Sequence, residues 1–224
     1  MILKGWRLAL EGAEAAQGVP FVPHNQLPDA LAAYRHFLYG AGKPRKFSYD
    51  RYVANDKSGR LTLENAAADL QEGVEALTAG NPYMSGIQVT GTGIRCESNG
   101  PWSHLFPYPD TENWQKAIGA HWIWLSAIVA IKRGSPRSFV ATMTLHAEDL
   151  YNFNPGDEDL ATGIPDALNG SLEESCLGRE YMSVSTLIRV VRWTEMDLQP
   201  STANPNGTSR QRNPQDNRRL RNRV

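Results

Sequence analysis

The chain has 224 residues, 41% of them apolar, and a formal net charge of -1; it is long enough to bury a core without metal or disulfide support and short enough to hold one domain with appendages. Its two cysteines, Cys96 and Cys176, fall in no C-x-x-C or Cys/His ligand spacing, which argues against a structural zinc site and predicts two reduced, buried thiols. The near-neutral charge hides an asymmetry: residues 199–224 carry six arginines against Asp216, and taking these away leaves 17 basic and 23 acidic residues, a body at -6.

The opening "MILKGWRLALEGAEAAQG" has too short an apolar run for a signal peptide and meets Glu11 and Glu14 directly after it, so residues 1–25 read as an amphipathic helix and a linker. A single domain is expected over residues 26–198. "LPDALAAYRHFLYG" places Leu27, Leu31, Tyr34 and Leu38 at helical spacing, with Asp29 in the first turn and Gly40 as the stop. "GAGKPRKFSYDRYVANDKSG" carries turn residues at both ends and reads as a long ordered loop with a short strand or helix near 47–53. "RLTLENAAADLQEGVEALTAG" predicts a second helix, capped by Thr62, with Leu63, Ala67, Leu70, Val74 and Leu77 on one stripe and Gly80 at its end.

The second half reads as sheet. "SGIQVTGTGIRCES" supplies one strand, and "DTENWQKAIG" a short helix capped by Asp110 or Thr111. "AHWIWLSAIVAIKRG" puts His121, Ile123, Leu125, Ala127, Val129 and Ile131 on one face, and "RGSPR" turns it into a hairpin with "RSFVATMTLHAED", whose period of two is the clearest in the chain. "EYMSVSTLIRVVRW" gives another strand. The longest apolar run, 117–131, is shorter than the ~20 residues of a membrane helix, so no transmembrane segment is expected. Helices followed by strands predict an α+β domain with N-terminal helices and then a curved, mainly antiparallel sheet or partly open β-barrel. The tail, residues 199–224, is too polar to repay its ordering entropy and is expected to be disordered. Its arginines suit phosphate backbones, but a solubilising end explains them more simply, and nucleic acid is not expected as a partner.

Phosphate-binding loops, G-x-S-x-G, H-E-x-x-H and dinucleotide fingerprints are all absent, which removes the common NTPases, serine hydrolases and zinc proteases. What remains is "HAEDLYNFNPGDED" (146–159). Alternation places Asp149 and Tyr151 on one face at a strand end, beside a turn forced by Pro155 and Gly156 and carrying Asn154, Asp157 and Asp159. A carboxylate there can act as base or metal ligand, a phenol as proton donor and an asparagine as an oxygen-positioning group. The same residues also make an ordinary strand-ending turn. In "GKPRKFSYDRYV", Lys43, Arg45, Lys46 and Arg51 form a basic run that suits a phosphate or a solvated face. Trp114, Trp122 and Trp124 suit a lipid-binding groove or, more simply, the core.

The segments "YRHFLYGAGKPRKFSYDRYV", "AIGAHWIWLSAIVAI", "HAEDLYNFNPGDED" and "LGREYMSVSTLIRVVRW" together resemble a bacterial family of uncharacterised domains from toxin and type VI secretion effector contexts, over roughly residues 30–195. Asp149-x-Tyr151-Asn152-Phe153-Asn154 is similar to the D-x-Y-D-x-N core of colicin M-type bacteriocins. Those enzymes cleave a lipid-linked peptidoglycan precursor at its phosphate with a divalent metal. Asn152 stands where that motif has its second aspartate, and no histidine follows His146.

The resemblance implies an antibacterial effector made in the bacterial cytoplasm and delivered by a secretion system to a competitor's periplasm. A secretion-apparatus component and a cognate immunity protein would be its partners. If it is an enzyme, it implies metal-assisted hydrolysis of a phosphate ester or diphosphate. Asp149, Tyr151, Asn154 and Arg179 would then be catalytic, Asp149 and Asp157 would hold a divalent metal such as magnesium, and Lys43, Arg45 and Arg51 would bind substrate. The alternatives are a non-catalytic adaptor of a secretion or phage-like particle and a nucleic-acid-targeting toxin.

Overall fold

The computed structural model describes residues 2–153 and 178–195. It has an α+β fold with a curved, six-stranded mixed sheet that does not close into a barrel. In chain order the elements are α1 (Ile2–Ala15), α2 (Pro28–Tyr39), β1 (Arg45–Lys46), α3 (Tyr49–Asn55), α4 (Lys57–Thr78), β2 (Gly86–Thr90), β3 (Ile94–Cys96), α5 (Glu112–Ala117), β4 (His121–Lys132), β5 (Ser138–Tyr151) and β6 (Tyr181–Thr194). The strand order is β1-β6-β5-β4-β2, with β3 paired to β4 off that path.

β1 runs parallel to β6, Arg45 opposite Ser183, and β2 runs antiparallel to β4, Gly86 opposite Ala130. The connection between neighbours β4 and β5 spans only residues 133–137, too short for a crossover, so that pair is antiparallel. β6 is antiparallel to β5 as well: Tyr151, at the end of β5, stacks on Tyr181 at the start of β6, and Phe139, near the start of β5, stacks on Trp193 near the end of β6. The expected α+β class and mainly antiparallel sheet hold.

The chain divides into two compact units. The first takes Met1–Thr62, Arg95–Trp122 and Ala147–Ser185. Its apolar centre is Leu10, Phe37, Leu38 and Tyr181, with Leu31, Tyr34, Tyr151 and Phe153 against it. α2 begins at Pro28, which needs no donor, but its N-cap Leu27 offers no side-chain acceptor. Asn113 of α5 serves instead: its Oδ1 accepts from Asp29 N (2.9 Å) and Ala30 N (3.1 Å).

The expected cap of the long helix at Thr62 is corrected. α4 starts five residues earlier, at Lys57. Asp56, fully buried, accepts from Ser58 N (2.8 Å) and Gly59 N (3.4 Å) with Oδ1 and so takes the cap position, while Thr62 lies inside the helix. At α5, Thr111 holds the N-cap position without a side-chain bond to that helix, because its hydroxyl donates to Asp56 Oδ2 at 2.7 Å.

The second unit takes Leu63–Ile94, Ile123–His146 and Thr186–Val224. Leu70 and Val74 of α4 bury against Ala127, Val129 and Ile131 of β4 and Phe139, Ala141 and Met143 of β5, with Leu63 and Ala67 partly buried on the same side. Each of the larger side chains among them contributes about 1.5–3 kcal/mol when fully buried. The expected stripe fails at Leu77, which is exposed; Thr78 takes the inward position and donates to Val74 O at 2.8 Å. The one strand expected from "SGIQVTGTGIRCES" is two, β2 and β3, parted by residues 91–93. Most of the apolar run 117–131 lies in β4, and among the described residues no helix is long and apolar enough to cross a membrane. Cys96 is a buried free thiol, raised to about 12 by burial; Cys176 and the arginine-rich tail lie outside the described residues.

Candidate functional site

Three strands of the first unit bring chemistry to one sheet face. Along β5, Phe139, Ala141, Met143, Leu145 and Ala147 are buried, and alternation carries that inward set on to Asp149 and Tyr151. Tyr151 stacks on Tyr181 of β6, ring centroids 5.0 Å apart at 17°. Ser183, two residues further along β6, shares Tyr181's face, and the parallel register sets Arg45 of β1 directly opposite Ser183. Asp149, Tyr151, Tyr181, Ser183 and Arg45 therefore assemble from residues far apart in sequence.

The phenols are proton donors here. Burial pushes Tyr151 well up from the ordinary value; the neighbouring Tyr181, Tyr34 and Asp149 push the same way, and Arg45 pulls against them. Tyr181 is likewise raised by burial and drawn back in part by Arg45, and its hydroxyl donates to Ala33 O at 2.9 Å. Tyr34, packed at the same edge, rises to about 12 by burial. The walls are aromatic: Phe153 meets Tyr151 edge-on at 5.5 Å, and Phe37 lies 6.3 Å from it.

Nη1 of Arg45 and Oγ of the fully buried Ser183 make no hydrogen bond of normal geometry, but both groups reach toward the Tyr181 phenol and pull it down against the burial that raises it. A guanidinium and a hydroxyl on one sheet face are donors of the kind that bind an oxyanion.

Among the described residues no cluster of three or more His, Cys, Asp or Glu side chains could hold a metal ion. Asp149 is the carboxylate of this group among the described residues, and its described neighbours are a guanidinium and phenols. Asn154 and Asp157, expected as oxygen-positioning residue and metal ligand, lie outside the described residues.

Of the remaining expected residues, Arg179 and Lys43 are exposed and flank one turn. Gly42, at φ +75°, passes so close to Arg179 that an added Cβ would touch its Cβ and Cδ at 3.8 Å, and Lys43 follows it. Arg51 is placed elsewhere. It pairs with Asp29 at 3.1 Å in a cleft of about 530 Å³ whose walls include His24, Asn25, Asn55, Thr111, Glu112 and Asn113. There Glu112 holds both Lys116 (2.9 Å) and His24 Nδ1 (2.7 Å); burial raises its carboxyl, and the two bonds more than offset that, leaving it below its usual value.

Sequence reasoning missed Tyr181 and Ser183, whose roles depend on strand pairing, and His121. His121 Nδ1 donates to Gly119 O at 3.0 Å, which leaves Nε2 to accept from the Tyr49 hydroxyl at 3.1 Å. Burial lowers this imidazole to about 4. Trp114 is buried, and Trp122 and Trp124 are half-buried.

No family model matches the chain, and no curated protein matches it. Among solved structures it is similar to PaeM, a colicin M-like bacteriocin produced by Pseudomonas aeruginosa, with a TM-score of 0.45 and 15% identity over 76% of this chain and 52% of that one. It is also similar to the bacteriocin syringacin M from Pseudomonas syringae pv. tomato, at a TM-score of 0.40 and 14% identity over 74% of this chain and 52% of that one. A truncated form of syringacin M aligns at 0.39 and 13% identity over 74% and 60%. The chain thus spans between half and three fifths of the length of these proteins.

Proposed function

We propose that the chain is an antibacterial effector toxin that hydrolyses a phosphate ester or diphosphate of a lipid-linked peptidoglycan precursor. The observation that carries the reading is the meeting of Asp149 and Tyr151 with Arg45 and Ser183 on one sheet face. Arg45 and Ser183 bind non-bridging phosphate oxygens, where charge grows as water adds. Asp149 takes the proton from the attacking water, and Tyr151, protonated at neutral pH, donates to the departing or a non-bridging oxygen. Arg179 and Lys43 bring positive charge to the neighbouring turn. Asn154 and Asp157 carry no step, and none is routed through a metal.

The toxin would be carried by a secretion system, type VI in the resemblance noted above, to a competitor's periplasm, with an immunity protein protecting the producer. The test is expression in a bacterial periplasm and, separately, in the cytoplasm. Periplasmic expression should stop growth, and Asp149→Ala and Arg45→Met should each relieve it while the purified variants unfold at wild-type denaturant concentrations. Equal harmlessness of the wild-type chain in both compartments would sink the proposal.

A further inference from the structure

The cleft of about 530 Å³ that holds the Arg51–Asp29 pair is built wholly from the first unit. The loop before α2, the first turn of α2, α3 and the start of α5 supply its walls, and none of its residues belongs to the Asp149 group. Its size falls within the ~300–1,000 Å³ of small-molecule sites. Trp114 is part of the wall; it is buried, and its Nε1–H has no acceptor among the described residues. A buried indole donor ordinarily finds one.

The charges of the cleft narrow what it can hold. Oδ2 of Asp29 accepts from Arg51 Nη2 at 3.1 Å and from Asn113 Nδ2 at 2.9 Å, while Glu112 is held by Lys116 and His24. Each carboxylate thus has its cation. The N–H groups of Asp29 and Ala30 at the start of α2, which would draw an anion, are spent on Asn113 Oδ1. An anion would meet two carboxylates, and a cation would have to break an ion pair. No residue of a strand lines the cleft, so an extended peptide finds no backbone ladder to join. An apolar ligand would strip water from these polar groups and return no hydrogen bond.

The polar atoms left over are of both kinds. Arg51 bonds Asp29 through Nη2 alone, which leaves Nε and Nη1 as donors, and Asp29 keeps Oδ1 as an acceptor. Asn55, four residues after Arg51 and so on the same side of α3, donates with its amide to Arg51 O at 2.8 Å and keeps Oδ1; Asn25 donates to Val19 O and keeps its own. A sugar hydroxyl donates one bond and accepts two, so neighbouring hydroxyls on a ring match donors and acceptors set side by side. Its C–H face suits the apolar walls at Leu27 and Pro28. We infer that this cleft is a binding site for a neutral saccharide, built from other residues than the Asp149 face. The inference stands whether or not that face hydrolyses a phosphate.

The experiment is isothermal titration calorimetry of the full chain with glucose, N-acetylglucosamine, cellobiose and chitobiose. At least one should bind at a single site, with little change from low to high salt because the ligand carries no charge. Arg51→Met should weaken that binding about tenfold, the loss of hydrogen bonds to a charged donor. Asn55→Ala, which removes a neutral acceptor, should weaken it about threefold to tenfold. Both variants change exposed side chains and should keep the wild-type circular dichroism. Asp149→Ala should bind sugar as the wild type does, so a failed hydrolysis and a failed cleft give different results. Heat from none of the four sugars overturns the inference, and so does sugar binding that neither Arg51→Met nor Asn55→Ala alters. Arg51-dependent binding of inorganic phosphate that the sugars do not displace overturns it as well, since the cleft would then read charge.

Discussion

Removing the Asp56 carboxylate should cost more stability than any other single polar change in the first unit. Asp56 is fully buried and accepts five hydrogen bonds: Ser58 N at 2.8 Å, Gly59 N at 3.4 Å, Asp110 N at 3.3 Å, Thr111 N at 2.8 Å and Thr111 Oγ1 at 2.7 Å. The helix cap alone is worth about 1–2 kcal/mol, and each bond to a charged group about 1.5–3 kcal/mol, though bonds sharing one acceptor do not add in full. Asp56→Ala leaves the donors at 58–59 and 110–111 unpaired together, for an expected loss of about 4 kcal/mol, a large part of a typical domain's 5–15 kcal/mol. Asp56→Asn keeps the Oδ1 contacts but turns a second donor toward Thr111 N, and should cost about 2 kcal/mol. Urea unfolding followed by circular dichroism separates these values. A loss below about 1 kcal/mol for Asp56→Ala, with an unchanged dependence on denaturant, would show that these bonds do not hold the junction of α3, α4 and α5.

Acid should weaken the fold through His121: its folded value of about 4 lies below the unfolded 6.5, so the unfolded chain binds the extra proton between them. Its contribution of about 3 kcal/mol is complete above pH 6.5 and lost as pH falls toward 4; His121→Gln should flatten that slope, and an unchanged slope would refute the assignment. In the second unit, buried Arg137 grips Glu195 with Nε at 3.0 and 3.1 Å and Thr78 O with Nη1 at 3.1 Å, so Arg137→Met should cost about 2–3 kcal/mol in thermal or urea unfolding. A Cβ at Gly178 would overlap the Phe37 ring, so Gly178→Ala should destabilise by about 1–3 kcal/mol, and a neutral result would mean that the ring moves freely aside.

What could be read from the chain follows from how local each determinant is. The period of two in β5 put Asp149 and Tyr151 on one face because alternation needs only the strand itself. The α4 boundary was missed although its capping aspartate was in plain view. "NDKSGR" reads as a turn because Gly59 sits in it, yet that glycine belongs to the first turn of the helix. A Cβ there would meet Tyr52 O at 2.8 Å, so close backbone approach rather than chain reversal fixes the residue. The Asn113 cap on α2 was invisible for another reason: donor and acceptor lie 83 and 84 residues apart.

The site has the same division. Arg45 appears in the sequence as one cation of a basic run, equivalent to Lys43, Lys46 and Arg51. A two-residue strand separates them: pairing with β6 sets Arg45 opposite Ser183 and Lys46 opposite Val184, and alternation then gives the two opposite faces. A strand that short has no periodicity to detect, and its partner lies over a hundred residues away. Arg51, three residues beyond the α3 N-cap Ser48, lies in α3 and goes to Asp29 instead. Of the four cations, geometry brings Arg45 to the phenols, and the electrostatics agree, since its charge lowers both Tyr151 and Tyr181 against the burial that raises them. If the Asp149 face binds an oxyanion, Arg45→Lys should weaken it strongly, because an ammonium cannot present two nitrogens in the guanidinium's fixed plane. Arg51→Lys should leave that binding as it is.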